Sequence, residues 1–324
     1  MASESFTLTG LGAAGLSPPM APNHRALVSR LPVEVKLGYK VPAARPQALK
    51  LANFVKSLKG VPIPSAVDWY TSAAAGLARM YRNDREGCCV ISGKAHNLAI
   101  WSANDPDSGP EVQASDSEIY EQYHGVCGPG DNGCFISQVL DYMKDQGFKA
   151  GGQRYKIDGY VSADNRSKEL TQIGIALFGA GTIGFNIPGS WMNENVWDVS
   201  NASSFVGGHD VSPCGYGNRI LGTNSDGVVV SSWGRLYLFT WEAWQSSRFI
   251  TELYFMVPTF LWTGADKVAP SHVDLDALKL AMVQIGGGML PPLPDPVDPT
   301  PVPTPPPVPP TPDPDPFPPI PVPD

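Results

Sequence analysis

The sequence predicts an α+β fold of two lobes with a cleft between them. Two observations carry this. Segments with apolar residues three and four positions apart lie mainly in the first half of the domain. From residue 182 onward, short apolar and β-branched runs follow one another with turn residues between them. Helices followed by a run of strands suit an α+β domain, with no alternation of single strands and helices.

Four stretches have helical spacing: Cys89–Trp101, Ser117–His124, Phe135–Gln146 and Val273–Ile285. In the third, Ile136, Val139, Leu140 and Met143 fall on one face. Ser167–Phe178 is a fifth candidate, weakened by Gly174. The expected strands cover 182–187, 209–217, 219–223, 227–234, 235–240 and 252–257, with Asn224–Gly227 as a hairpin turn.

These elements divide the 324 residues into three parts. Residues 1–60 read as an irregular N-terminal arm with one short helix near Ala48–Leu58. Residues 61–287 form the domain. Residues 288–324 form a tail, which Gly286–Gly288 join to it. More than half of residues 291–324 are proline, and none is Lys, Arg or Gly. Such a tail is expected to be disordered and drawn out as polyproline II, able to dock on a partner that binds proline-rich motifs.

A net charge of −8 argues against a nucleic-acid partner, since neutralising phosphates requires clustered cations. No apolar run is long enough to span a bilayer. The first twenty residues lack the charged start and apolar core of a signal peptide, so a cytoplasmic or phage-associated location is expected. Of the five cysteines, Cys88 and Cys89 are adjacent. Cys127 and Cys134 flank Gly128-Pro129-Gly130-Asp131-Asn132-Gly133, a spacing that suits a small disulfide or a weak metal site. Without an export signal, they are read as reduced thiols.

A cysteine nucleophile needs a base, a helix N-terminus or cation to stabilise the thiolate, and an oxyanion donor. The loop Asn83-Asp84-Arg85-Glu86-Gly87-Cys88 runs into a helical pattern and places Cys89 in its first turn. Asn83 offers an amide on the approach, and equally suits a turn cap. Among the five histidines, His209 opens a strand after Gly207-Gly208, where little bulk crowds it. His96 falls inside the helix and reads as structural. Cys88 reads as core.

The order of these features resembles the papain-like cysteine peptidases. A cysteine opens a helix, a Gly-His strand follows, and Ser231-Ser232-Trp233-Gly234 ends the next strand. Ser65-Ala66-Val67-Asp68-Trp69, Asn132-Gly133-Cys134 and Gly215-Tyr216-Gly217 fall in the matching order. The helix start is similar to the N-D-x-x-G-D-C start of papain-fold proteins of bacteria and phages, with Cys88 in place of the aspartate.

This resemblance implies a helical lobe and an antiparallel β-barrel-like lobe. It implies a Cys-His hydrolase of peptide or isopeptide bonds, acting on a peptide or protein substrate without metal or organic cofactor. Cys89 would be the nucleophile and His209 the base. Asn83 and the Cys89 backbone N–H would hold the oxyanion. Ser231 would orient the imidazole, with Trp233, Gly208 and Trp191 lining the cleft. Ser231 replaces the family's asparagine with a shorter acceptor, and it also reads as a plain strand residue. Two other readings are a catalytically inactive papain-fold binding or structural protein, and an amide transferase of transglutaminase type.

The tail generates the first prediction. It has no apolar clusters with which to pack, so truncation at Gly288 should change the melting temperature by less than about 2 °C in a thermal scan. A larger loss would place the tail on the domain.

Overall fold

The computed structural model describes residues 35–44, 48–55, 63–105 and 110–258. The chain divides into two units, Met1–Gly287 and Gly288–Asp324, and all the described residues belong to the first. The expected tail, the helix Val273–Ile285 and the first part of the arm lie outside the described residues.

In chain order the elements are β1 (Leu49–Lys50), α1 (Leu51–Val55), β2 (Val67–Asp68), α2 (Ala74–Leu77), α3 (Cys89–Asn104), α4 (Asp116–Cys127) and α5 (Ile136–Asp145). There follow β3 (Phe148–Ala150), β4 (Gln153–Tyr155), β5 (Ile157–Ser162), α6 (Lys168–Phe178), β6 (Gly181–Pro188) and β7 (Val196–Trp197). The last are β8 (Phe205–Asn218), β9 (Asp226–Ser232), β10 (Arg235–Thr240), α7 (Trp241–Gln245) and β11 (Ile250–Pro258).

Among the described residues the main sheet has nine strands, in the order β1-β5-β11-β6-β8-β9-β10-β7, with β2 also paired to β8. It is open and does not close into a barrel. β3 and β4 form a separate hairpin. The long strand β8 lies at the centre, antiparallel to both β6 and β9.

Helix α3 packs against β8 and is buried on every side from Cys89 to Ser102. Its sequence therefore lacks the polar stripe of a surface helix, and its polar side chains must find internal partners. Ser92 Oγ donates to Tyr81 O at 2.8 Å, and His96 Nε2 donates to Arg79 O at 2.9 Å. Lys94 Nζ donates to Thr182 Oγ1 at 2.6 Å and lies 3.4 Å from Asp210 Oδ1, with both charged side chains fully buried. Gly93 lets the helix approach, because a Cβ there would strike the Asp210 carboxylate. Gly174 acts similarly in α6: its missing side chain makes room for the Phe255 ring, so the glycine belongs to the helix.

Two expectations are corrected. Residues 219–223 are not a strand. Ile220–Gly222 form a 3-10 turn, in which Arg219 and Leu221 take left-handed backbone angles to carry the chain from β8 to β9. Cys127 and Cys134 are bonded as a disulfide, because the glycine-rich loop brings their Cα atoms to 5.2 Å, within disulfide range.

Burial also gives the fold a definite acid response. Desolvation lowers the pKa of His209 to about 3, and it lowers that of His96 to about 4 against a weaker opposing bond to Arg79. In the unfolded chain both titrate near about 6.5. Acidification therefore protonates the unfolded state first. The stability is whole above about pH 6.5 and declines below it by up to about 1.4 kcal/mol per pH unit for each histidine. Asp210 runs the other way. Burial raises it to about 6, against the pull of Lys94, so the folded state gains a proton there before the unfolded one does. Two histidines outweigh one aspartate. Urea midpoints should fall from about pH 6.5 to about pH 4.5, and His209→Gln should flatten that fall. A flat wild-type profile would refute the assignment.

Candidate active site

Cys88 is the N-cap residue of α3 and Cys89 its first residue. The Cys88 thiol turns back toward the approach loop, donating to Tyr81 O at 3.5 Å with Ser92 Oγ at 3.3 Å. The sulfur of Cys89 meets the backbone of Asp210 and of Gly38. Burial pushes the Cys89 thiol well above its ordinary range and the Asp210 carboxylate adds to this, outweighing the backbone groups that favour the thiolate. Cys88 is pushed up to about 12, also by burial. The advantage of a helix N-terminus is thus overridden by desolvation.

His209 lies in β8 directly opposite Phe185 of β6, while its neighbour Asp210 lies opposite Gly184. Successive strand residues point to opposite faces of the sheet. Asp210 meets Lys94 of α3, so its side chain takes the helix-facing side and His209 takes the other. There the imidazole stacks on Trp233 at 4.0 Å between ring centroids and meets the Phe185 ring edge-on. A hydrogen bond of 2.7 Å joins its Nε2 to Ser232 Oγ. Its Nδ1 has no hydrogen-bond partner among the described residues. Cys89 and His209 are therefore not hydrogen-bonded to one another in this conformation.

The other expected site residues are placed as follows. The Asn83 amide donates to Lys36 O at 3.1 Å and to Glu86 O at 3.0 Å. Ser231 Oγ has no hydrogen-bond partner among the described residues. The hydroxyl that reaches the imidazole belongs to Ser232, one residue along. Trp233 and Trp191 are buried, and Trp191 stacks on Trp197 within a cluster that includes Phe185, Phe239 and Phe249.

Gly208 lines a groove, and the groove is filled. Residues 36–40 of the N-terminal arm run through it as an extended chain. Lys36 N donates to Asn83 O at 2.9 Å, Cys134 N to Gly38 O at 2.8 Å, Tyr39 N to Gly208 O at 3.1 Å and Lys40 N to Cys134 O at 2.8 Å. Glycines make the walls. A Cβ at Gly87, Gly133 or Gly208 would collide with this backbone, and one at Gly184 with the Tyr39 ring. The ring is anchored by its hydroxyl, which hydrogen-bonds Thr251 Oγ1 at 2.7 Å and donates to Glu252 Oε2 at 2.7 Å. The Gly38 backbone in this segment is one of the groups that favour the Cys89 thiolate.

Sequence reasoning missed Lys94, Asp210, Ser232 and the role of residues 36–40. A lysine inside a helix with no carboxylate of its own was a readable sign that a carboxylate must face it. The groove contacts left no pattern along the chain.

Comparison with known proteins bears on the fold. No protein-family model matches the sequence, and no curated protein sequence does. Among solved structures, xylellain, a cysteine protease from Xylella fastidiosa, superposes with a TM-score of 0.52 at 16% identity, over 69% of this chain and 97% of that one. Procathepsin B S9 from Trypanosoma congolense superposes with a TM-score of 0.50 at 12% identity, over 70% of this chain and 86% of that one. The chain has a papain-like fold.

The two neighbouring serines can be told apart by stability. Ser232→Ala strands the buried Nε2 of His209 and should cost about 1–3 kcal/mol in urea unfolding. Ser231→Ala removes a hydroxyl that has no hydrogen-bond partner among the described residues and should stay within about 0.5 kcal/mol of wild type. Equal losses would sink the distinction.

Proposed function

We propose that the chain is a cysteine-dependent hydrolase of peptide or isopeptide bonds, held closed by its own residues 36–40. The observation that supports this reading is the groove itself. Its hydrogen-bonding groups and glycine walls accept an extended polypeptide main chain, and a thiol lies at its floor. Main-chain bonding of this kind selects a peptide by its backbone and leaves its side chains free to vary.

In the working form, Cys89 is the nucleophile and His209 the base. The thiolate attacks the carbonyl carbon, and the C–N bond breaks as the imidazolium gives its proton to the leaving amine. Water then adds to the thioester, giving up a proton to the imidazole, and the acid leaves as the thiol is restored. The Cys89 backbone N–H and the Asn83 amide hold the oxyanion. This form requires residues 36–40 to leave, which frees the Asn83 amide from Lys36. It also requires the imidazole to exchange its place beside Trp233 for one beside Cys89, a move that costs several kcal/mol if it turns β8 over and parts Asp210 from Lys94.

One observation favours a second reading, a peptide-binding protein that does not hydrolyse. Asp210, not His209, faces α3, and a carboxylate beside a thiol opposes the thiolate.

Tyr39→Ala removes the buried anchor of the groove segment and separates the two readings. With this variant, a peptidyl vinyl sulfone should label Cys89, and the label should vanish in Cys89→Ser and His209→Ala backgrounds. Labelling that survives His209→Ala would refute the Cys-His mechanism. Peptide binding without labelling would support the second reading, and neither binding nor labelling would sink both.

A further inference from the structure

The loop between Cys127 and Cys134 meets the candidate site twice. Cys134 forms one wall of the groove, where its backbone N–H and C=O hold Gly38 and Lys40 in a bridge to Tyr39. Asp131, inside the loop, accepts from Gly87 N at 2.7 Å and so braces the turn that leads into Cys88 and Cys89. Tyr123 of α4 ties the loop down, donating to Asp131 at 2.8 Å and accepting from Gly133 N at 2.9 Å.

The disulfide closes this loop between the last residue of α4 and the residue before the N-cap of α5. Three of the six enclosed residues are glycine, and Gly128 and Gly133 hold positive φ angles of 101° and 72°. A chain so rich in glycine gains much conformational freedom once its closure is broken. Cys134 is buried but Cys127 is partly exposed, so one sulfur of the bond is open to attack.

We propose that the Cys127–Cys134 disulfide is a redox-controlled clasp, whose reduction by a dithiol loosens residues 36–40 and uncovers Cys89. The inference rests on the reading of the groove given above and does not depend on whether the thiol goes on to hydrolyse anything. In the exchange, a reductant thiolate attacks Cys127 Sγ and Cys134 leaves as a thiolate. The second thiol of the reductant then breaks the mixed disulfide. The products are two protein thiols and an oxidised dithiol. Cys134 then keeps its place through its core packing and its own backbone bonds, with Tyr123 still tying the neighbouring Asp131 and Gly133. The groove loses a fixed wall while the anchors at Tyr39 and Lys36 remain. Loosening is therefore partial and local.

The test follows iodoacetamide modification of each cysteine in the full chain by mass spectrometry, with and without a dithiol. Trypsin cleavage after Lys36 and Lys40 serves as a second readout. Neither requires catalysis, so the failure of the clasp and the failure of the hydrolase reading are separate events. In the oxidised protein Cys89 should be protected. On reduction its labelling should rise at least about tenfold, and cleavage after Lys40 should speed up, while Cys214 in the core stays unmodified. The double variant Cys127→Ser, Cys134→Ser should label at Cys89 without reductant and should not respond to it. The wild-type arm stands by itself if that variant fails to fold. Continued protection of Cys89 after Cys127 and Cys134 have been reduced would overturn the proposal. Modification of Cys214 in step with Cys89 would also overturn it, because that marks global unfolding.

Discussion

The architecture around the candidate site depends on a buried charge pair. Helix α3 is enclosed on all sides, so its one lysine cannot reach water by extending its chain as surface lysines do. Lys94 instead pairs with Asp210 and Thr182, and the Thr182 hydroxyl donates to the other oxygen of Asp210. The triad ties α3 to β6 and β8 together, and removing either charge would leave the other unpaired in the core. Gly93, the residue before Lys94, makes the approach of the Asp210 carboxylate possible. One consequence reaches the thiol. Burial raises the pKa of Cys89 most, and the carboxylate that neutralises Lys94 adds to it, so the feature that seats the helix also helps keep its first cysteine protonated.

The groove depends on a different economy, that of the main chain. Its walls are made at Gly87, Gly133, Gly184 and Gly208, places where a side chain would block the path. What holds residues 36–40 is backbone bonding to Asn83, Cys134 and Gly208, plus one deeply placed tyrosine. Such a site is indifferent to most of what passes through it and sensitive to how its walls are held. The walls belong to three separate parts of the chain: the turn before α3, the disulfide loop, and the paired strands β6 and β8. Asp131 couples the first two through Gly87, and the pairing of Gly184 with Asp210 couples the strands to the buried triad.

Much of the fold was legible because it is written in local periodicity. The apolar face of Phe135–Gln146 is realised in α5, and the strand runs after residue 182 become β6, β8, β9, β10 and β11 within one or a few residues of their expected ends. Arg219–Thr223 misled because two apolar residues between turn signals look like a short strand. The backbone there instead makes a tight left-handed reversal. The Cys127–Cys134 bond was misread because redox state was inferred from a leader segment, whereas the distance between the two residues is fixed by the loop between them. Strand β5 was missed since Asp158 and Gly159 interrupt its apolar pattern, and its pairing with β11 supplies what local propensity does not. Most of the groove was illegible for a simple reason. It is built from backbone groups brought together across long sequence separations, and backbone groups leave no residue signature.

The placement of His209 shows how far motif order can carry an argument and where it stops. A Gly-His step followed by Gly-Tyr-Gly locates a strand, and β8 is indeed there. It does not fix which of two adjacent side chains faces the helix, because the side-chain period of a strand is two and a step of one residue reverses every assignment. Energetics settles the phase. Turning β8 over would bring Asp210 among Phe185 and Trp233, parted from Lys94, and would leave Lys94 facing an imidazole in the core. Each is an unpaired or poorly paired buried charge, costly by several kcal/mol. A neutral histidine among aromatic rings, bonded to Ser232, carries no such penalty. The lysine of α3 therefore selects the aspartate of β8, and that selection sends His209 to the far face. The same phase rule runs through Ser231 and Ser232. The residue one step from the expected orienting serine is the one that bonds the imidazole, because it shares a face with His209.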